Sequence, residues 1–304
     1  MAAMNLRMIL VAAVVVAAVS APRAKPRAKP PAAVAPSTTE MGMSASAGLP
    51  RDRFGVRMIY PSMPAGREWF AKWDNRRRRA IVGVDPDDPE LDCGHGDGTY
   101  RVDGRGICTV GGRAPRLYVV DPARVRMWQN VEVTIYGMRI AETKAVSYAG
   151  LQAYARTDHT RDDDLCADRG YGGRLLYDGR ADFEKEIAHH LPNGYVQADT
   201  TQAWQKKMPH RRWIGLKFVV RNVPGGVRLE LWRDRRNGRD GGVWQKLGEW
   251  TDRGAWGAGV PPCAPGVDPA EVLRGPAPTV YIRNDEVKEI RYKWFSIREI
   301  DPGQ

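Results

Sequence analysis

Short runs of alternating apolar and polar residues, each closed by a turn signal, recur through the second half of this chain and restrict it most. They cover residues 131–139, 151–156, 173–177, 181–187, 213–221, 227–233, 244–250, 279–283 and 290–298. A two-residue period places successive side chains on opposite faces of a strand. Asp178-Gly179, between two such runs, predicts a hairpin. No amphipathic helical pattern interrupts the series, and 32 Gly with 22 Pro argue against a helical bundle. Many strands at short spacing predict an all-β fold, a two-sheet antiparallel jelly-roll sandwich. A propeller competes, but it would need an internal repeat of about 40–50 residues, which is absent.

The first residues read differently. Arg7 precedes an apolar stretch, Ile9 to Val19, and Ala18-Val-Ser-Ala21 fits a small-x-small cleavage pattern. Residues 1–22 are therefore expected to be an export signal, with an uncleaved anchor as the alternative. No other segment is apolar enough for a membrane, which excludes a transporter. Residues 23–48, rich in Pro, Ala and Lys, read as a stiff, disordered linker. Residues 49–304 are expected to form one domain, with 49–124 adding edge strands. The net charge is +11. Residues 1–48 hold five basic residues and one acid, so the domain keeps 42 Lys+Arg against 35 Asp+Glu. A basic exported protein meets anionic glycan or wall polymer more often than nucleic acid.

Four cysteines in an exported chain suggest two disulfides. Of the three pairings, Cys93–Cys108 with Cys166–Cys263 is favoured, the first closing a glycine-rich loop. Zinc at Cys93 and His95 is set aside because no Cys-x-x-Cys pair exists.

Residues 128–140 (WQNVEVTIYGMRI), 171–187 (YGGRLLYDGRADFEKEI), 225–234 (GGVRLELWRD), 244–257 (WQKLGEWTDRGAWG) and 290–300 (IRYKWFSIREI) together resemble a concanavalin A-like lectin/glucanase domain. Laminin-G-type modules and jelly-roll polysaccharide lyases are grouped with it. The resemblance covers roughly residues 125–300. It implies a sandwich with a glycan groove on one curved face, and it does not choose between binders, lyases and hydrolases.

Three readings follow. The first is binding of an extracellular, anionic glycan without chemistry. Gln152, Tyr154 and Arg156 share a strand face opposite Ala153 and Ala155, and Arg228, Glu230 and Trp232 form a second candidate surface. Trp128, Trp204, Trp244, Trp250 and Trp256 are further stacking candidates, with core roles as the alternative. The second is β-elimination on a uronate polymer, which needs a charge neutraliser, a base and a proton donor; Arg156, His159, Tyr177, Lys185 and His189 supply those types. The third is hydrolysis by Asp182, Glu184 and Glu186, which alternate on one strand face, with Lys185 on the other beside Phe183, Ile187 and His189. If the protein is an enzyme, the lyase reading precedes the hydrolase one. No cofactor is expected. Calcium enters only as a structural ion in acidic loops, at Asp85 to Asp92 or at Asp162 to Asp168. The Arg76–Arg79 run has no nucleic-acid motif around it. A secreted, wall-associated monomer with no membrane contact after signal cleavage completes the expectation.

Overall fold

The computed structural model describes residues 50–161, 163–189, 191 and 193–301. The expected signal (1–22) and linker (23–48) lie outside the described residues. Strands in the first third are β1 (Glu68–Phe70), β2 (Arg79–Ile81), β3 (Val84–Asp85), β4 (Asp88–Asp92), β5 (Asp97–Val102), β6 (Cys108–Ala114) and β7 (Arg116–Val120). Then come β8 (Val131–Glu142), β9 (Gly150–Thr157), β10 (Gly170–Leu176), β11 (Arg180–Glu186), β12 (Tyr195–Gln202), β13 (Trp213–Val223) and β14 (Gly226–Asp234). The last three are β15 (Trp244–Asp252), β16 (Thr279–Arg283) and β17 (Val287–Glu299). Among the described residues the helical element is one short 3-10 turn, Arg239–Gly241, and no helix is long and apolar enough to cross a membrane.

The strands form two antiparallel sheets, a jelly-roll sandwich. Sheet one runs β15-β14-β13-β8-β17-β6-β5-β2, with β1 continuing the β6 side of β17. Sheet two runs β12-β11-β10-β9-β16-β7-β4-β3. Strands β6 and β7 are interior strands of the two sheets, so residues 49–124 contribute more than edges.

Alternation builds the core between the sheets. Val131, Val133 and Ile135 of β8 and Ile214, Leu216, Phe218 and Val220 of β13 point inward from sheet one. Leu151, Ala153 and Ala155 of β9, with Leu175 and Phe183, meet them from sheet two. Gly173 faces Phe218 so closely that a Cβ there would meet the ring at 2.4 Å.

The outer face of sheet one is also buried, which alternation alone does not predict. Residues 50–62 lie across it. The Ile59 and Tyr60 backbone N–H groups donate to Glu132 Oε2 at 2.9 and 3.0 Å. Lys217 Nζ reaches Glu132 Oε1 at 2.5 Å and Arg298 Nη2 reaches it at 2.8 Å. Burial works to raise the Glu132 carboxyl, but the two cations hold it below its ordinary range. A buried carboxylate persists only with such complete pairing.

The Cys166–Cys263 disulfide forms; Cys93–Cys108 does not. Both of those thiols are free and buried in the core. The glycine-rich segment between them is no simple hairpin: Cys93 follows β4 in sheet two, whereas Cys108 begins β6 in sheet one. Burial raises both thiols, Cys108 to about 12, so neither ionises readily.

Candidate functional site

The outer face of sheet two is concave and carries a cleft of about 1070 Å³. Its lining comes from β10, β11, β12, the end of β16 and the loops beside β5 to β7. Arg174, Asp182 and Glu184 form the floor, Arg116, Arg283 and Asp285 one wall, and Tyr195, Gln197 and Thr200 the other. Tyr148 and Tyr195 are the accessible aromatics, Tyr148 with 47% of its surface exposed.

The floor is rigid because its charges are paired. Arg174 grips Asp182 through Nε and Nη2 at 2.6 and 2.9 Å and also bonds Glu184. Tyr154 Oη donates to Glu184 Oε1 at 2.6 Å, and Gln197 Nε2 donates to Glu184 Oε2 at 2.8 Å. Bidentate guanidinium pairing fixes geometry as well as charge. Beneath lies a tyrosine ladder: Tyr281 stacks on Tyr154 with centroids 4.8 Å apart, and Tyr118 sits 4.8 Å from Tyr281 on its other side. Arg283 reaches over the Tyr154 and Tyr195 rings at 5.9 and 5.8 Å and pairs with Asp285 at 3.0 Å.

The structure divides the residues singled out in the sequence. His159 and His189 line the cleft. Gln152 and Tyr154 are on the same face but beneath the lining, both about 1% exposed; Gln152 donates to Tyr148 O and Asp285 Oδ2 at 2.8 and 3.3 Å. Arg156 is not in the cleft. A β-bulge sets Ala155 and Arg156 against the single residue Val280, and Arg156 adopts φ 61°. This breaks the alternation and turns the side chain to the end of the sandwich. There the guanidinium donates to the carbonyls of Gln129, Leu273, Arg274 and Gly275. Tyr177 is in the core, its hydroxyl accepting from Asn284 Nδ2 at 2.7 Å. Lys185 points between the sheets, where Nζ donates to Asp252 at 2.9 Å and to the Trp256 and Glu271 carbonyls. Arg228, Glu230 and Trp232 belong to β14 on the opposite sheet. Tyr60 covers Glu230 with a 2.7 Å hydrogen bond, and Arg228 pairs with Glu249. Trp128, Trp204 and Trp256 are buried in the core.

Asp182, Glu184 and Glu186 do share one face, but partners occupy all three. Burial favours a neutral Glu186, yet His159 and His189 hold its carboxyl far below the ordinary range. Asp85 and Asp88 of the first acidic loop are likewise taken, by Arg79 and by Trp69 and Lys72.

At one end of the cleft Glu186 is the hub of a smaller cluster. His189 Nδ1 lies 2.5 Å from Glu186 Oε1 and 2.9 Å from Tyr195 Oη. His159 Nε2 stands 3.6 Å from Glu186 Oε1, and its Nδ1 stands 3.7 Å from Asp168 Oδ1. Asp168 is within 3.7 Å of His189 Nδ1. One ligand atom from each of His159, Asp168, Glu186 and His189 lies within 4.8 Å of the others. The sequence offered Asp168 as part of an acidic calcium loop and Glu186 as a hydrolytic carboxylate, and nothing in it brought either together with His159 and His189.

A second concave region is strongly basic. Arg211, Arg212, Trp213, Arg235, Arg236, Asn237 and Arg239 line a hollow of about 390 Å³. Among the described residues no carboxylate is within ion-pair distance of these five arginines.

No protein-family model matches the chain, and no curated protein sequence does. Solved structures similar to it include the VIP36 exoplasmic/lumenal domain in its Ca2+-bound form, at 9% identity, covering 77% of this chain and 93% of that one with a TM-score of 0.44. Arcelin-5, a lectin-like defense protein from Phaseolus vulgaris, is 10% identical over 73% of this chain and 96% of its own, at 0.41. Lectin II from Ulex europaeus is 10% identical over 74% and 98%, at 0.39. At these identities and TM-scores the likenesses carry no argument about superfamily or activity.

Proposed function

We propose that this protein binds an anionic polysaccharide in the cleft on sheet two. The cleft carries the reading: charged side chains line it, with fixed donors and acceptors on its floor. Sugar hydroxyls need such paired partners, and Tyr148 and Tyr195 offer ring faces to a pyranose. Five arginines and five carboxylates line it, with three histidines added. Arg283, half-buried between two tyrosine rings, is the anchor for a carboxylate or sulfate group. The basic hollow beside β13 and β14 supports an anionic rather than a neutral polymer, since it attracts polyanions over distances set by salt.

Calorimetric titration of the purified chain with alginate, glucuronan, pectate, hyaluronan and a neutral glucan tests this. Binding to one or more acidic polymers, weakened by Arg283→Ala and unaffected by Arg228→Ala on the opposite sheet, is the expected result. Equal binding to the neutral glucan, or no binding at all, overturns it. One contact favours β-elimination as a second reading: the Tyr195 hydroxyl 2.9 Å from His189 Nδ1, beside Gln197 and Arg283. Ultraviolet absorbance of unsaturated uronate in the same mixtures decides between binding and cleavage.

A further inference from the structure

We infer that His159, Asp168, Glu186 and His189 form a binding centre for a divalent transition-metal ion of the Zn2+ class. His159 and Glu186 are 6% and 1% exposed. His159 Nε2 and Glu186 Oε2 make no hydrogen bond among the described residues, a costly state for buried polar atoms. Between the atoms that would face an ion, His159 Nε2 stands 3.6 Å from Glu186 Oε1 and His189 Nδ1 stands 3.7 Å from Asp168 Oδ2. Those distances are too long for hydrogen bonds. They are close to the edges of a tetrahedron drawn around an ion with bonds of about 2.0–2.2 Å, which are ~3.3–3.6 Å. The short edge, His189 to Glu186, is a hydrogen bond that an entering metal replaces, with release of a proton.

The donor set selects the ion. Two imidazoles and two carboxylates suit zinc and its neighbours, whereas calcium takes oxygen ligands. One outer partner is in place as well: Tyr118 Oη lies 3.3 Å from His159 Nδ1. With Nδ1 protonated toward Tyr118, the His159 Nε2 lone pair faces the cluster, the usual arrangement of a metal-bound imidazole.

The fold explains what the ion does. His159 and Asp168 lie in the β9–β10 connection, Glu186 ends β11, and His189 follows it. A bound metal staples two loops that frame one end of the cleft. Asp168 is also two residues from Cys166, so the disulfide and the metal brace the same connection. The assignment is independent of the glycan reading. It removes Glu186 and His189 from acid–base roles and leaves Tyr195 as the proton-handling group there.

The test uses the full chain without a polyhistidine tag, stripped with chelator and titrated separately with ZnCl2, CoCl2 and CaCl2. One equivalent of Zn2+ should bind, Co2+ should give the visible absorption of a low-symmetry site, and Ca2+ should not compete. Glu186→Gln and Asp168→Asn should each weaken Zn2+ binding by at least about 100-fold, since even outer-partner losses cost tenfold to a hundredfold. A wild-type chain that takes up neither Zn2+ nor Co2+ overturns the proposal, and so does one that prefers Ca2+. Should the variants fail to fold, the wild-type Co2+ spectrum decides alone: a four- or five-coordinate band supports the site, and its absence overturns it.

Discussion

Replacing Glu132 by glutamine changes almost no volume but breaks the buried pairing on the outer face of sheet one. Glu132 is fully buried and takes three hydrogen bonds, from Lys217 on Oε1 and from the Ile59 and Tyr60 amides on Oε2, with Arg298 as a second cation in ion-pair contact with Oε1. Glutamine keeps one oxygen. Whichever way the amide turns, its NH2 group faces two donors, and Lys217 loses its buried counter-charge. Breaking one partner from a buried ion pair costs about 3–5 kcal/mol, and leaving buried donors unpaired costs about 1–3 kcal/mol on its own. The expected loss is therefore about 3–5 kcal/mol, or a melting temperature lower by roughly 6–20 °C for a domain of this size. Urea unfolding of Glu132→Gln against wild type measures it. The pH dependence has a defined sign. A carboxyl whose folded pKa is depressed contributes in full above its ordinary value, 4.5, and that contribution is lost as pH falls through the lower folded value. The acid limb of the stability curve should flatten in Glu132→Gln. A variant within about 1 kcal/mol of wild type would refute the claim that this pairing holds residues 50–62 on the sheet.

Arg283→Ala should weaken acidic-polymer binding by roughly tenfold or more, the worth of one charge-assisted contact, and should also lower the melting temperature, because Asp285 loses a partner; calorimetry on the folded variant and a thermal melt check the two halves. Gly173→Ala should cost about 1–3 kcal/mol by overpacking Phe218, and Phe218→Ala about 3–5 kcal/mol by opening a cavity, both read from urea midpoints. Removing the Cys166–Cys263 bridge, which spans 97 residues, should cost about 2–5 kcal/mol, measured by unfolding the double serine variant. The native chain should show no thiol reactive toward a disulfide reagent, and two should appear on denaturation. Labelling of Cys93 or Cys108 in the folded state would contradict their burial.

The strands with clear alternation were legible. The predicted 279–283 coincides with β16, and the predicted 227–233 and 244–250 sit inside β14 and β15. Strand β12 was missed because Tyr195 to Gln202 has no apolar period to read: it is an edge strand with one side open. The short strands before residue 125 were unreadable for a related reason. Their register comes from partners distant in sequence, as where Arg116–Val120 pairs with Thr279–Arg283. Alternation correctly grouped Gln152 with Tyr154 and Asp182 with Glu184. It failed at Arg156, since a bulge leaves no mark in the sequence beyond a residue able to take positive φ. It also placed Lys185 on the Phe183 face, which is the interior, where a lysine belongs only with a partner such as Asp252. The choice of outer face was not legible at all. Nothing in residues 50–62 announces that Tyr60 covers Glu230 of β14.

The positions of β16 and β17 bear on how the chain is made. β17 stands between β8 and β6 in sheet one, and β16 stands between β9 and β7 in sheet two. Until both have emerged from the ribosome, each sheet exists as two separate halves with exposed edges. A nascent chain therefore has no half-finished domain to rest in, and its closing contacts span most of its length, a topology that folds slowly. Such a chain depends on holding factors during synthesis. Loss of residues 279–301 should abolish the sandwich, not trim it.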